Sequence, residues 1–200
     1  MTSIALFVVL GLAVAHRPPS AFDTALEQAW FGQAIGLAWA FTYSGLWAVQ
    51  LPLGAALVVF GALARAWRVR AWFSVGANLT AHFVSDGAKN AFERARPEHW
   101  AIVHESSYAY PSGHAVTATV VFGLWAWLLL RSELAPRLRI MLAIACAAWG
   151  VGICWSRIAL GAHWPTDVIG GCLLGLGWVT VLAAAWGMLR AWQHDAGRST

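Results

Sequence analysis

Long apolar runs separated by short polar breaks dominate this chain. A bilayer-spanning helix needs about 20 largely apolar residues, and runs close to that length predict membrane spans. The runs give six predicted spans, at approximately residues 2–16, 43–64, 71–88, 114–130, 140–155 and 165–189. We therefore predict an all-α fold: a polytopic membrane helical bundle of about six transmembrane helices, built as a single integral-membrane domain over residues 1–200.

The first run is short for a span and leaves two alternatives open. Ala13-Val14-Ala15 resembles a signal-peptidase site, but no basic residues precede the run, so a retained short span is favoured over a cleaved signal. Residues 21–31 follow a proline-containing break. Their apolar residues recur with the helical period opposite Asp23 and Glu27, which predicts an amphipathic helix at the membrane interface.

The second run is too long for one upright span. Its thirty residues, 35–64, are interpreted as a helix from about residue 43 to 64, preceded by an interfacial or re-entrant piece. The third span is less apolar. His82, Asp86 and Lys89 share one helical face, so we predict that this face looks into the bundle; support of Lys89 by the first two residues is the less favoured of their interpretations.

Composition agrees with a bilayer environment. The chain is 60% hydrophobic and 11% charged, whereas soluble domains average about 25% charged residues. The net charge is only +4, without a basic run interleaved with aromatics, so nucleic-acid binding is not expected. The three cysteines, Cys146, Cys154 and Cys172, lie in apolar segments and are interpreted as small buried hydrophobes.

Arginines concentrate on one side of the predicted topology. By the positive-inside rule that side is cytoplasmic, which places the long polar segment 89–113 and the segment 156–167 on the outer face. The sequence therefore predicts a multi-pass cell-membrane protein, in an inner or plasma membrane, with its site facing the periplasm or cell exterior. The cytoplasmic set is Arg65, Arg68, Arg70, Arg131, Arg137, Arg139, Arg190 and Arg198.

The outer segment 156–167 carries a cation, an imidazole and a carboxylate. Arg157 is predicted to lie in a loop, followed by a helix start that presents His163. Asp167 is four residues further on, on the same helical face, where a carboxylate can fix the imidazole tautomer and support its positive charge. Pro165 suits the first turn of that helix.

Two more groups share the predicted outer face. Lys89 and Arg96 are two helical turns apart, although Pro97 disfavours regular helix at Arg96. Ser112 and Gly113 lead into a helix start, where free N–H groups and the dipole attract anions, and His114 follows. Three cations, backbone donors and two histidines suit a tetrahedral phosphate. The cations would repel a divalent metal, so neither a metal nor a cofactor is expected.

These residues resemble the three signature motifs of the type 2 phosphatidic acid phosphatase family, which shares its site with acid phosphatases and vanadium haloperoxidases. The motifs are Lys89-x6-Arg96-Pro97, Pro111-Ser112-Gly113-His114 and Ser156-Arg157-x5-His163-x3-Asp167. The resemblance implies that His163 is the nucleophile, oriented by Asp167, and that His114 is the general acid. It also implies that Lys89, Arg96, Arg157, Ser112 and Gly113 bind the phosphoryl oxygens.

The expected function is a membrane lipid phosphate or diphosphate phosphatase with a phosphohistidine intermediate. Undecaprenyl diphosphate is favoured as substrate, then phosphatidic acid; phosphatidylglycerophosphate and lipid A phosphates are further candidates. A lipid phosphotransferase is the nearest alternative, and a haloperoxidase or a non-catalytic membrane protein is less expected. The sequence does not determine the oligomeric state.

Several residues near the motifs receive secondary interpretations. His99, His104 and Glu105 are interpreted as solvated loop residues. Trp100 and Trp164 are candidates either for anchors at the headgroup level or for the lining of a lipid entry gap. Gly171 and Gly175 form a small-xxx-small pair that close packing within the bundle explains at least as well as dimerisation does.

Overall fold

The computed structural model describes residues 2–97 and 105–196, except for the side chains of residues 47 and 189–196. Within these ranges the chain is helical and contains no strand, as predicted. The helices are α1 (Thr2–Val14), α2 (Ala21–Trp30), α3 (Ile35–Ser44), α4 (Trp47–Leu63), α5 (Arg68–Phe92), α6 (Gly113–Thr117), α7 (Leu124–Leu130), α8 (Pro136–Ala159) and α9 (Pro165–Ala196).

Three helices in the described residues are long and apolar enough to cross a membrane: Gly113–Leu130, Pro136–Ala159 and Pro165–Met188. The first joins α6 and α7 through a π-helical turn at Ala118–Gly123. The bent pair α3–α4 makes a fourth if it is counted as one span, and α1 is apolar but shorter. The predicted count of six spans is therefore not confirmed.

Helix α5 shows why the count falls short. Its 25 residues extend about 37 Å, which is long enough to cross a bilayer. Its polar residues keep it from qualifying as an apolar span. The face that it buries includes Ser74, Asn78, Ser85 and Lys89. Asp86 is exposed, whereas the neighbouring Ser85 is buried. The inward face of α5 is therefore offset by about one residue from the predicted face.

The second apolar run breaks at Gly45 and Leu46. The helix predicted to start near residue 43 starts at residue 47, and Tyr43 belongs to α3. Hydrogen bonds from Gly45 N–H to Thr42 and from Leu46 N–H to Tyr43 tighten this turn. The two helices meet at a bend of 45°. The prediction of a separate preceding piece was right, and its boundary was wrong.

Helix boundaries also differ from prediction at the basic connections. Arg68 and Arg70 lie in the first turn of α5 and stack over Trp72 and Trp67. Arg137 and Arg139 belong to the start of α8, not to a turn. Helix α9 continues to Ala196, past the predicted end at residue 189. In each case a helix extends beyond the apolar stretch, because arginines form helix well and can reach the interface.

An aromatic cluster joins α1, α5 and α9 at one end of the bundle. The ring of Tyr110 stacks on Phe7, with ring centroids 5.3 Å apart, and meets Phe92 edge-on. Its hydroxyl donates to the Phe7 carbonyl at 2.6 Å. Gly170 of α9 packs directly against this ring, because a Cβ there would overlap it. The cluster fixes the stretch that precedes α6.

Gly171 and Gly175 bring α9 against α6 and the π-helical turn. A Cβ on Gly171 would lie 2.8 Å from that of Ala115, and one on Gly175 would lie 2.9 Å from that of Thr119. These are contacts within the chain, which supports packing inside the bundle as the reason for the glycine pair.

Candidate active site

The candidate site lies at the end of the bundle where α5 ends, α6 begins, and α8 turns into α9. This is the opposite end of α5 from Arg68. The site draws its side chains from distant parts of the sequence, and each part is held by its own local structure.

The turn after α8 folds back over Arg157. Arg157 lies in the last turn of α8, not in the predicted loop. Its carbonyl accepts hydrogen bonds from Ala162 N–H at 3.0 Å and His163 N–H at 3.2 Å. Gly161 has φ +65°, a left-handed conformation that glycine adopts readily. The reversal buries His163 to 1% exposure just before α9.

His163 lies between a carboxylate and a guanidinium. Its Nδ1 is 3.6 Å from Asp167 Oδ2, and its Nε2 is 3.2 Å from Arg96 Nη1. The same Asp167 oxygen accepts the Trp164 N–H at 2.8 Å. Burial, reinforced by nearby Arg96, Arg157, Lys89 and His114, holds the pKa of His163 well below its usual value. The imidazole is therefore neutral near pH 7.

Lys89 and Arg96 converge even though they do not share a helix. Helix α5 ends at Phe92, where Glu93 adopts φ 48°, so Arg96 lies in the extended stretch that Pro97 favours. Lys89 Nζ is 2.9 Å from Ser107 Oγ, and Arg96 donates to the same oxygen at 3.0 Å. Ser107 thus holds both cations in one place.

Glu105 pairs with two of the predicted phosphate-binding arginines. Its carboxylate accepts from Arg157 Nη2 and lies 3.3 Å from Arg96 Nη2. The side chain is 25% exposed, so the interpretation as a solvated loop residue was wrong. Fifty-two positions separate Glu105 from Arg157, and no sequence pattern links them. The carboxylate shows that anionic oxygens are accommodated between these arginines.

Ser112, Gly113 and His114 form the start of α6. Ser112 is the N-cap residue, its backbone N–H donates to the Asp167 carbonyl at 3.0 Å, and its buried hydroxyl has no partner among the described residues. A Cβ on Gly113 would lie 3.9 Å from Lys89 Nζ. The start of α6 is thus next to both other motifs, and free N–H groups there suit an anion.

Thr42 supports the site from α3, a role that sequence reasoning missed. Its hydroxyl accepts a hydrogen bond from Arg157 Nη1 at 2.5 Å, and its carbonyl accepts one from the His114 ring. Nε2 of His114 is buried without a partner among the described residues. Gly45, at the α3–α4 break, packs against the His114 ring, since a Cβ there would lie 2.6 Å from Cδ2.

A second group that the sequence did not reveal lies behind Asp167. Arg94 is 2% exposed and donates to Asp167 Oδ1 at 2.5 Å and to Asp23 Oδ2 at 2.8 Å. Helix α2 turns Asp23 and Glu27 inward and leaves Phe22 exposed, so its polar side is the buried side. The periodicity revealed an amphipathic helix but not which face meets the protein.

The remaining sequence interpretations have mixed outcomes. Trp164 donates its indole N–H to the Ala95 carbonyl at 3.2 Å, so it ties two site segments together. His99, Trp100 and His104 lie outside the described residues. Within residues 2–97 and 105–196, no group of three or more His, Cys, Asp or Glu side chains could hold a metal ion.

The fold and this geometry define a class: a helical membrane protein with a buried cluster of arginines, a lysine and histidines at one end of its bundle. Residues 70–191 match the PAP2 superfamily, so the chain belongs to that family. Its members include phosphatases, in agreement with a phosphoric monoester hydrolase.

One similar protein and one solved structure each cover most of the chain. Phosphatidylglycerophosphatase B of Bacillus subtilis is 29% identical over 181 residues, covering 85% of this chain and 86% of that protein. The crystal structure of the first transmembrane PAP2 type phosphatidylglycerolphosphate phosphatase, from Bacillus subtilis, superposes with a TM-score of 0.80 and 25% identity. The superposed region covers 94% of this chain and 95% of the chain in that crystal structure.

A shorter similarity is to a phosphatase that is named for a different lipid. Lipid A 1-phosphatase of Rhizobium etli is 37% identical over 106 residues, covering 48% of this chain and 41% of that protein. These comparisons bear on the family and the fold. The individual roles of His163, His114, Asp167, Lys89, Arg96, Ser112, Gly113 and Arg157 remain predictions.

The contact between Gly45 and His114 yields a test of the geometry. Gly45→Ala should displace the His114 ring and lower the kcat of the phosphatase by about 10- to 100-fold, because a shift of about 1 Å can cost that much. Gly36→Ala, in α3, is the matched control, since its Cβ meets no atom within 4 Å. Equal kcat values for the two folded variants would show that the position of His114 does not matter.

Proposed function

We propose that the chain is one integral-membrane phosphatase domain that hydrolyses a lipid phosphate at the outer leaflet through a phosphohistidine on His163. The observation that carries the proposal is the placement of His163 Nε2 at 3.2 Å from Arg96, beside Arg157 and Lys89. A neutral imidazole nitrogen among cations is suited to attack a phosphoryl group whose oxygens those cations hold.

The proposed reaction has two steps. His163 Nε2 attacks phosphorus, the bond from phosphorus to the lipid oxygen breaks, and His114 gives its proton to that leaving oxygen. Water then attacks phosphorus, His114 takes a proton from the water, and the phosphorus–nitrogen bond breaks to release inorganic phosphate. Arg96, Arg157 and Lys89 balance the charge on the phosphoryl oxygens throughout, and Asp167 faces the nitrogen that stays protonated.

Glu105 bears on how substrate enters. Its carboxylate lies between Arg96 and Arg157, the residues proposed to bind phosphate. An arriving phosphoryl group competes with that carboxylate for the same donors, or shares them. Phosphate carries more charge and more acceptor oxygens than a carboxylate, and arginine binds it with a bidentate geometry.

Among lipid substrates we favour phosphatidylglycerophosphate, because the relative that aligns over most of both chains is a phosphatidylglycerophosphatase. Undecaprenyl diphosphate and phosphatidic acid, which the sequence analysis favoured, are the other candidates. The outer-face location rests on the distribution of arginines, which places the site opposite the basic turns.

The decisive assay is phosphate release by purified protein in detergent. We expect release from at least one of these three lipids, faster than from a soluble phosphomonoester. His163→Asn should lower kcat by about 10³-fold or more, because it removes the nucleophile. His16→Asn is a matched control at an exposed histidine, where asparagine tolerates the left-handed backbone.

Two outcomes would overturn the proposal. One is the absence of phosphate release from every lipid in the panel. The other is undiminished turnover by a folded, monodisperse His163→Asn protein. Transfer of the phosphoryl group to an added lipid alcohol, with little free phosphate, would instead identify a phosphotransferase.

The depressed pKa of His163 predicts the acid limb of the pH profile. The reactive form is the neutral one, so kcat/KM should stay high below the ordinary histidine value of about 6.5 and fall only as pH drops through the lowered pKa.

Removing a cation should shift that acid limb. Arg96→Gln deletes a positive charge next to His163 and should therefore raise the pKa of His163. The acid limb of kcat/KM should move to higher pH, and phosphate binding should weaken. Arg68→Gln, at the opposite end of α5, is the control and should leave the limb in place. An unmoved acid limb in Arg96→Gln would show that His163 is not the titrating group.

A further inference from the structure

We propose that Asp23, on the interfacial helix α2, is a positioning residue for the His163–Asp167 pair and acts through Arg94 and Thr166. This inference rests on the proposed function, since it assigns a role within the same site. Asp23 precedes the first predicted motif by more than sixty residues and belongs to none of the three.

The first observation is the linkage of buried charges. Arg94 Nη2 donates to Asp23 Oδ2 at 2.8 Å, and its Nη1 donates to Asp167 Oδ1 at 2.5 Å. Both carboxylates are fully buried, at 0% exposure. One guanidinium thus joins the carboxylate facing His163 to a carboxylate on α2.

The second observation concerns the start of α9. Asp23 Oδ1 accepts the backbone N–H of Thr166 at 2.9 Å and its hydroxyl at 2.8 Å. Thr166 is in the first turn of α9, where backbone N–H groups lack partners within the helix. Asp23 therefore caps α9 from another helix, one residue before Asp167.

The third observation is that α2 holds Asp23 rigidly. Ser20 Oγ accepts the Asp23 N–H at 3.1 Å, while the Asp23 carboxylate lies 3.4 Å from the Ser20 N–H, which forms a capping box. The side chain that caps α9 also caps its own helix. Its geometry is fixed from both sides, which suits a support for a catalytic pair.

The consequence for Asp167 is a carboxylate held at both oxygens. Arg94 fixes Oδ1, and Oδ2 accepts the Trp164 N–H while lying 3.6 Å from His163 Nδ1. Without the Asp23 charge, Arg94 would pair with the Asp167 carboxylate alone. Asp167 would then be neutralised more fully, and it would support a positive or phosphorylated imidazole less well.

The test compares Asp23→Asn with wild type and with Glu27→Gln, on the lipid that wild type hydrolyses best. Asparagine keeps the size and one acceptor oxygen of Asp23. We expect kcat to fall about 10- to 100-fold with KM changed less than about threefold. Glu27 is buried one turn further along α2, and no hydrogen bond among the described residues joins its side chain to Arg94 or Thr166. Glu27→Gln should match wild type.

A second variant, Arg94→Lys, tests the same linkage if Asp23→Asn does not fold. Arg94→Lys keeps the positive charge but lacks the planar guanidinium that reaches Asp23 and Asp167 through separate nitrogens, so it should lower kcat with a similarly small effect on KM. Both variants are scored only as monodisperse protein in detergent. Wild-type kcat in folded Asp23→Asn would overturn the inference, as would an equal loss in Glu27→Gln. An inactive wild-type protein would instead count against the proposed function.

Discussion

Burial of charge is the constraint on which this structure depends. Arg94, Arg157 and Asp167 are almost completely removed from solvent, and an isolated ion in such a place is very unfavourable. Removal of one partner from a buried ion pair costs about 3–5 kcal/mol. Each of these ions is therefore matched by carboxylates, hydroxyls or carbonyls from other segments. Those matches bring distant parts of the chain to one end of the bundle.

The same requirement explains the division of the site into two layers. On the side where we propose that phosphate binds, Arg96, Arg157 and Lys89 contact Ser107 and Glu105. A phosphoryl group could replace these partners or join them. Behind them, the Asp23–Arg94–Asp167 group is closed, because its members satisfy one another and the start of α9. We interpret the outer layer as binding and the inner layer as support.

The three motifs could be predicted from sequence because their spacing encodes local geometry. Pro111 to His114 indicates a helix start, and α6 begins at Gly113 as that pattern requires. Pro97 correctly indicates that Arg96 is outside the helix. The all-α fold and the family could also be predicted, because apolar runs and motifs are local patterns. The span count was not, because α5 mixes polar and apolar residues and α3–α4 bends at Gly45.

What the sequence could not reveal depends on contacts between distant segments. Asp23 has the pattern of a polar residue on an interfacial helix, and only the fold shows that this face is buried against α9. Glu105 and Thr42 have no local signal for their contact with Arg157, which is more than fifty positions from each of them. Hydropathy separates polar from apolar faces, but it does not say whether a polar face meets water or a buried arginine.

If the motifs form one phosphoryl-transfer site with His163 as the nucleophile, turnover passes through a phosphorylated His163. This intermediate can be captured by rapid acid-free quenching of the protein during turnover of a ³²P-labelled lipid phosphate, followed by mapping of the labelled peptide. We predict an acid-labile, alkali-stable phosphohistidine on His163. Label on another residue, or steady turnover without any label when capture is fast enough to detect it, would show that His163 is not the nucleophile.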